Sequence, residues 1–306
     1  MAELWSLRGL SWRELARRTC RKSWDDEIFG QSARMALYFF FALFPMLLLL
    51  LILLGESASG SEWRQALLDS FKQVLPRDAS DLLTATVQQL SVTAVLGVGA
   101  IVAALYAAWG ALNGTWAMMT GLNKAYEVEE KRSWRRVLLI LFGLTISLGI
   151  LGLIALGAIV YGNRAGNILG RHLGMSAQFE FLWRIAQWAV IIALLLFSFA
   201  VVYRFAPNLK DRRWQWSIPG AAIAVALWVP STLVLRVYQE HLGSSRIYGN
   251  LNAVAMLLLW LYLTGAAIFV GGEANSEIEK AAAEAGHADV RDAGEQRSGG
   301  EGSSDL

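Results

Sequence analysis

The sequence predicts an all-α protein that crosses a membrane six times, and three observations support this fold class. Hydrophobic residues make up 55% of the chain and charged residues only 17%, with a mean hydropathy of +0.42. Six uncharged runs of 19 to 26 residues follow one another, and each can cross about 30 Å of hydrocarbon as a helix. The runs are continuous rather than alternating, which excludes a transmembrane β-barrel.

The membrane domain is predicted to cover residues 31–275. Its spans are residues 35–55, 92–113, 137–161, 185–203, 214–235 and 247–272. Pro45 in the first span, and Pro219 and Pro230 in the fifth, free backbone carbonyls and bend their helices. No ionisable residue lies inside a span. This argues against a pump or exchanger built on buried carboxylates.

Lysine and arginine are unevenly divided among the segments that join the spans. Segments 1–34, 123–136, 204–213 and 273–306 hold 7, 5, 4 and 3 of the 27 basic residues, and the other three segments together hold 8. Because basic segments stay on the cytoplasmic side of a membrane, both termini are predicted to be cytoplasmic.

The N-terminal segment, residues 1–30, is predicted to be an amphipathic helix in the cytoplasmic interface. Leu4, Leu7 and Leu15 lie near one helical face, and arginines occupy the rest of the surface. Simple anchoring is the first interpretation of this pattern. A recruitment arm for anionic lipid headgroups or for a partner is the alternative.

Two further segments lie outside the spans. In residues 56–91, apolar residues at helical spacing are interrupted by Pro76 and then resume, which predicts a helical hairpin on the outer surface. Residues 276–306 are predicted to be an acidic, disordered cytoplasmic tail, since the chain after residue 272 holds nine acidic and three basic residues. A docking tail for a cytoplasmic partner is the alternative.

Residues for catalysis or cofactor binding are sparse. Cys20 is the only cysteine, and His172, His241 and His287 are too far apart for a standard zinc spacing. No phosphate-binding glycine loop of the G-x-x-x-x-G-K-[ST] type is present. We therefore expect no metal, no cofactor and no enzymatic activity.

Four blocks of sequence carry a resemblance to a known family. They are "DDEIFGQSARMALYFFFALFPMLLLLL", "LNKAYEVEEKRSW", "WSIPGAAIAVALW" and "YGNLNAVAMLLLWLYLTGAAIFVGGEAN". Together they resemble the YihY/BrkB family of bacterial inner-membrane proteins over about residues 20–280. The resemblance implies six helices with both ends inside. Asn252 stands where that family usually has glycine, and Pro230 is an additional helix breaker, so the shape of any cavity is expected to differ.

The resemblance implies a role in the bacterial envelope but no settled activity. The family has carried a ribonuclease label and has been connected with serum resistance and with lipid handling. A metal-dependent nuclease needs clustered histidine and carboxylate ligands, and the soluble segments of this sequence offer only isolated histidines. We therefore expect neither ribonuclease activity nor a nucleic-acid partner.

Two functional hypotheses remain. In the first, the protein moves or hands over a lipid or another amphiphile at the inner membrane, with membrane lipids as its partners and a periplasmic or envelope lipid-handling protein as a candidate partner. In the second, it is a non-transporting scaffold that recruits envelope proteins. The oligomeric state is left open by the sequence.

Aromatic residues, amides, helix breakers and the few charges near span ends are the candidate cavity or gating residues. They are Tyr38, Pro45, Trp109, Asn113, Asn123, Arg132, Pro219, Tyr248, Gly249, Asn252, Trp260, Glu273 and Asn275. For Glu273, the sequence leaves two possibilities: a solvated carboxylate, or a buried ion pair with Arg34, Arg132 or Arg135.

Overall fold

The computed structural model describes residues 11–54, 58–89, 97–172, 177–209, 214–241 and 250–284. Within these ranges the backbone forms nine α-helices and no strand. The helices are α1 (Trp12–Asp25), α2 (Ile28–Leu54), α3 (Ala58–Val74), α4 (Arg77–Gln89), α5 (Val98–Ala125), α6 (Trp134–His172), α7 (Ala177–Phe205), α8 (Trp214–His241) and α9 (Asn250–Glu284).

Six of these helices are long and apolar enough to cross a membrane, as predicted. Their candidate spans are Ile28–Ile52, Val98–Ala125, Trp134–Ile159, Phe181–Phe205, Ser217–Gln239 and Leu251–Ala282. The all-α, six-span fold class is therefore confirmed. Several helices extend past the predicted spans, because a helix continues into polar sequence wherever another element packs against it.

The spanning helices have two distinct ends. Helix α2 packs against α5 and α9, α9 against α8, α8 against α7, and α7 against α6. We call the end formed by residues 11–27, 120–137, 201–209, 217–221 and 268–284 the motif end. The opposite end, covered by α3 and α4, is the hairpin end. With six spans between them, α1 and the end of α9 meet at the motif end.

Packing is dense at the motif end. The core at this end and in the adjoining half of the bundle contains large side chains from five spanning helices, including Met118, Met119, Leu122, Leu141, Leu144, Phe199, Val202, Tyr203, Val225 and Phe269. Toward the hairpin end, α5, α6, α7 and α8 instead expose large apolar side chains, including Leu105, Leu153, Leu182, Ile185, Val234 and Val237. These four helices are therefore less closely packed in that half, and their apolar surface is left for lipid.

At the hairpin end, a second core joins α3 and α4 to α2 and α9. It contains Leu47, Leu51, Leu67, Leu83, Val87 and Leu257. The helical pair predicted for residues 56–91 is present, and its two helices are separated at Leu75 and Pro76. The hairpin packs against α2, α6, α8 and α9.

Helix α1 packs part of its apolar face against α9. Ser11 caps the helix by accepting a hydrogen bond from the Glu14 N–H at 3.1 Å. Leu15, which was predicted to face the membrane interface, packs against Ile278 and Ala282 of α9 instead. Leu4 and Leu7 lie outside the described residues. Trp12 and Trp24 of the same helix are exposed, and the position of α1 in the membrane interface stays a prediction.

Helix α9 also extends beyond the predicted start of the acidic tail at residue 276. It remains helical to Glu284, with Ser276, Ile278 and Ala282 buried. The physical reason is the same contact with α1, which gives this part of the chain a surface to pack against. The rest of the predicted tail, residues 285–306, lies outside the described residues.

Candidate functional site

Two loops are tied together at the motif end by a polar clasp. Asn123 donates from Nδ2 to Glu130 Oε2 at 3.0 Å, and its Oδ1 accepts from the Asn208 N–H at 2.8 Å. Arg132 donates from Nε to Glu130 Oε1 at 2.7 Å and from Nη2 to the Ala206 carbonyl at 2.8 Å. The clasp therefore connects the α5–α6 loop to the α7–α8 loop.

The electrostatics of the clasp favour a charged Glu130. Burial raises the pKa of this carboxyl, but hydrogen bonds from Arg132 and Asn123 outweigh burial and hold the pKa below its usual value. The Arg132 side chain is only 3% exposed. Such a buried and fully bonded pair fixes the relative position of the two loops.

A buried amide joins three helices beside the clasp. Asn275 of α9 is 1% exposed. Its Oδ1 accepts from the Gly220 N–H of α8 at 3.0 Å, and its Nδ2 donates to Tyr126 Oη, just beyond α5, at 2.7 Å. Tyr203 of α7 donates from Oη to the Ile268 carbonyl at 2.7 Å. These bonds close the motif end around α9.

The buried carboxylate of Glu273 pairs with a lysine from α1. Glu273 is 0% exposed, and its Oε2 lies 3.7 Å from Lys22 Nζ. Lys22 Nζ also lies 2.7 Å from Glu127 Oε1 and 3.6 Å from Glu277 Oε1. Lys280 Nζ lies 2.8 Å from the same Glu127 oxygen. This network holds α1 against α9 and against the α5–α6 loop.

Two of the three arginines considered as partners of Glu273 bond elsewhere. Arg132 pairs with Glu130, and Arg34 donates a hydrogen bond to Thr120 Oγ1 of α5. Lys22 occupies the position because α1 folds back along the end of α9, a long-range contact that local sequence does not indicate.

The α1 network perturbs two ionisable groups outside the spans. Burial raises the pKa of Glu127, but hydrogen bonds from Lys22 and Lys280 outweigh burial and lower this pKa from 4.5 to about 2. Burial lowers the pKa of Lys22, but the hydrogen bond to Glu127 and the nearby Glu273 outweigh burial and raise this pKa above its ordinary value. Both shifts favour the ion pair at neutral pH.

The docking of α1 is expected to weaken in acid. Because the pKa of Glu127 is lowered in the folded state, its contribution to stability is present above pH 4.5 and is lost as the pH falls toward about 2. Hydrogen exchange of the α1 amides, corrected for intrinsic rates, should show falling protection over this interval. Glu127→Gln should have lower protection at neutral pH and lack this acid-dependent decrease. Identical pH profiles for the two proteins would contradict the assignment.

Three predicted cavity residues lie together on the outer surface between α2 and α5. Tyr38 makes an edge-to-face contact with Trp109, with ring centroids 5.8 Å apart. Trp109 also contacts Tyr106 at 5.5 Å, and Asn113 donates from Nδ2 to the Trp109 carbonyl at 2.7 Å. We call these four residues, with Arg34 and Thr120, the α2–α5 seam. Sequence reasoning missed Tyr106, which lies one helical turn before the predicted Trp109.

The other candidate residues are not part of one site. Pro45 lies within α2, and buried Pro219 lies in the second turn of α8. Asn252 donates a hydrogen bond to Asp78 at the hairpin end. Trp260 contacts Trp228 with ring centroids 6.1 Å apart. Two further candidates, Tyr248 and Gly249, lie outside the described residues.

An apolar groove of about 560 Å³ lies between α6 and α7, open to the side. Its walls contain one polar side chain, the hydroxyl of Ser147. The other lining residues are Leu139, Ile140, Gly143, Leu144, Ile150, Leu151, Phe197, Val201 and Phe205. Both helices are membrane-spanning candidates at this level. The groove therefore presents an almost entirely apolar surface at the level of the spans.

The described part of the chain contains no group of three or more His, Cys, Asp or Glu side chains that could hold a metal ion.

Comparison with known proteins identifies the family of this chain. A family model described as virulence factor BrkB matches residues 19–295. The chain belongs to the virulence factor BrkB family. It is an integral membrane protein of that family, and the polar clasp, Glu273 and Asn275 all lie within the matched region.

Relatives in the BrkB family carry two kinds of name. The chain is 32% identical over 255 residues to a putative ribonuclease-like protein, YfkH, of Bacillus subtilis, covering 82% of this chain and 90% of that protein. It is 27% identical over 270 residues to UPF0761 membrane proteins of Xanthomonas campestris and Xanthomonas axonopodis, covering 84% of this chain. The chain spans 59% of the length of these Xanthomonas relatives. No solved structure matches significantly.

Proposed function

We propose that this BrkB-family protein transfers a lipid or a similar amphiphile within the bacterial envelope. The observation that carries the proposal is the apolar groove between α6 and α7. It extends along α6 from Leu139 to Leu151, which is about 18 Å at 1.5 Å per helical residue. Its volume of about 560 Å³ is in the range of ~300–1,000 Å³ typical of small-molecule sites.

The uneven packing of the bundle supports a lipid path. The motif end is closed by large buried side chains and by the bonds around Asn275. Beside the groove, α6 and α7 expose apolar side chains to the bilayer, including Leu139, Ile150 and Phe197. An acyl chain in the groove would gain about 0.8 kcal/mol for each CH₂ that it buries. Lipid could therefore enter from the side without opening the closed end.

We further propose that the motif end faces the cytoplasm of a bacterium and that the membrane is its inner membrane. The basic residues concentrated in segments 1–34, 123–136 and 204–213 support this orientation. Under this arrangement the α3–α4 hairpin lies on the outer side. It is the element most accessible to an envelope lipid-handling partner.

The test of lipid transfer uses two tryptophan variants of α6. An added Cβ at Gly143, inside the groove, or at Gly152 meets no atom within 4 Å. The two residues are nine positions apart, which places them on opposite faces at 3.6 residues per turn. Gly143→Trp therefore fills the groove, and Gly152→Trp is a matched control on the other face.

The protein is reconstituted into vesicles with a fluorescent phospholipid, and movement between leaflets and to acceptor vesicles is measured. Gly143→Trp should slow transfer about tenfold, the effect of removing contacts with about two CH₂ groups. The transfer rate of Gly152→Trp should remain within about twofold of the wild-type rate, a much smaller change than the tenfold decrease expected for Gly143→Trp. Equal rates for wild type and Gly143→Trp, or no transfer above protein-free vesicles, would contradict the proposal.

A further inference from the structure

The charged end of the α2–α5 seam has the chemistry of an anion site. Arg34 precedes the uncharged run 35–55 and donates a hydrogen bond across the seam to Thr120 Oγ1. Its side chain is exposed, and no carboxylate among the described residues pairs with it. Lys124 lies one helical turn beyond Thr120, where the uncharged stretch of the second span ends.

The depth of these residues matches that of lipid phosphates. Arg34 lies six residues after the start of the candidate span Ile28–Ile52, and Lys124 lies one residue before the end of Val98–Ala125. Long basic side chains near the end of a span extend to the headgroup level. Lys124 pairs with Glu27 at 3.7 Å, but Glu27 is 80% exposed, and exposed pairs contribute little. The sum of the charges on Arg34, Lys124 and Glu27 at this level is +1.

The rest of the α2–α5 seam is mainly aromatic and is suited to the acyl chain of a lipid. Tyr38 lies one turn beyond Arg34 on α2, and its ring contacts Trp109 of α5. Trp109 and Tyr106 are both exposed, at 47% and 44%. An acyl chain extending from the headgroup level would lie along these rings. The amide of Asn113 is the polar group between the two parts.

We propose that Arg34, Thr120 and Lys124 bind the phosphate of an anionic phospholipid whose acyl chain lies along Tyr38 and Trp109. The inference goes beyond the proposed function, because the seam lies between α2 and α5 and the groove between α6 and α7, and lipid binding at the seam does not depend on transfer through the groove. A guanidinium forms strong charge-assisted bonds with phosphate, and the neighbouring lysine adds positive charge.

Retained lipid tests the binding step. The full chain is purified from vesicles that contain phosphatidylglycerol and phosphatidylcholine, and bound lipids are counted by native mass spectrometry. Arg34→Gln keeps an amide that can bond Thr120 but removes the charge. Arg136→Gln is the control, because Arg136 is an exposed basic residue at the same end. Thermal unfolding checks that both variants fold.

Arg34→Gln should retain about tenfold less phosphatidylglycerol, the effect of losing one charge-assisted hydrogen bond. Arg136→Gln should be near wild type, and Arg34→Lys should recover part of the loss. An equal loss in Arg34→Gln and Arg136→Gln would overturn the site, as would no loss in either. Displacement of phosphatidylglycerol by excess inorganic phosphate would also overturn it, because the ligand would then be soluble phosphate.

The two proposals fail separately. If Gly143→Trp blocks transfer and Arg34→Gln retains phosphatidylglycerol normally, only the anionic site is wrong. If Arg34→Gln loses phosphatidylglycerol and no variant affects transfer, the seam binds lipid but the transfer function is wrong.

Discussion

Gly220→Ala is expected to destabilise the motif end by about 1–3 kcal/mol, the range for overpacking a tight core. A Cβ at this position would lie 2.6 Å from the Gly271 carbonyl oxygen and 2.7 Å from Asn275 Cβ. Neither α8 nor α9 can move away without breaking the bond between Gly220 N–H and Asn275. The thermal unfolding midpoint in detergent should fall by several degrees.

Gly152→Ala is the matched control for this substitution. Its added Cβ meets nothing within 4 Å, and alanine is favoured over glycine in a helix by about 1 kcal/mol. This variant should therefore be as stable as wild type or slightly more stable. If both variants raise the midpoint equally, the close α8–α9 crossing is incorrect.

Asn275→Leu is expected to cost about 2–5 kcal/mol, because it removes two buried hydrogen bonds together. The Gly220 N–H loses its acceptor, and Tyr126 Oη loses a donor. Asn275→Asp should lose less stability than Asn275→Leu, because its carboxylate can still accept the hydrogen bond from the Gly220 N–H. Chemical or thermal unfolding in detergent measures both effects.

A double-mutant cycle with Tyr126→Phe separates the two bonds. Tyr126→Phe alone removes one partner, so adding it to Asn275→Leu should cost less than the sum of the two changes. Fully additive costs would show that the Asn275–Tyr126 bond does not contribute. If Asn275→Leu is as stable as wild type, the hydrogen bonds of Asn275 do not stabilise the motif end.

The six spans could be predicted from the sequence because each is a long uncharged run, a local property of the chain. Asn123, Arg132, Glu273 and Asn275 could also be named as candidates, because they are amides and charges near span ends. Their partners could not be predicted, since Lys22 and Gly220 reach them through packing between distant helices. Helix α1 is the clearest case: its amphipathic pattern predicts a buried face but does not distinguish a membrane surface from α9.

The candidate set also divides in a way that sequence could not indicate. Asn123, Arg132, Pro219, Glu273 and Asn275 lie in the closed motif end, where buried bonds connect the helices. Tyr38, Trp109 and Asn113 lie on the outer seam. A single uncharged run does not specify which of its faces meets lipid, so the sequence could not assign the candidates to these two places.

The groove itself had no sequence signal. Its residues are ordinary apolar residues of α6 and α7, and Gly143 and Ser147 are small residues that leave space between larger ones. Only the separation of two packed helices turns such residues into a binding surface. Composition is the same whether the helices touch or diverge.

Photo-crosslinking of a phospholipid with a reactive acyl chain tests the account most directly. The lipid is activated in vesicles that contain the full chain, and the labelled peptides are mapped. Lipid binding in the groove predicts strong labels on α6 and α7 around Gly143, Ser147 and Phe197. These labels should be largely lost in Gly143→Trp and kept in Gly152→Trp, whereas labels at Tyr38 and Trp109 of the seam should be the same in both variants. Labels spread evenly over all six spans, unchanged by Gly143→Trp, would contradict it.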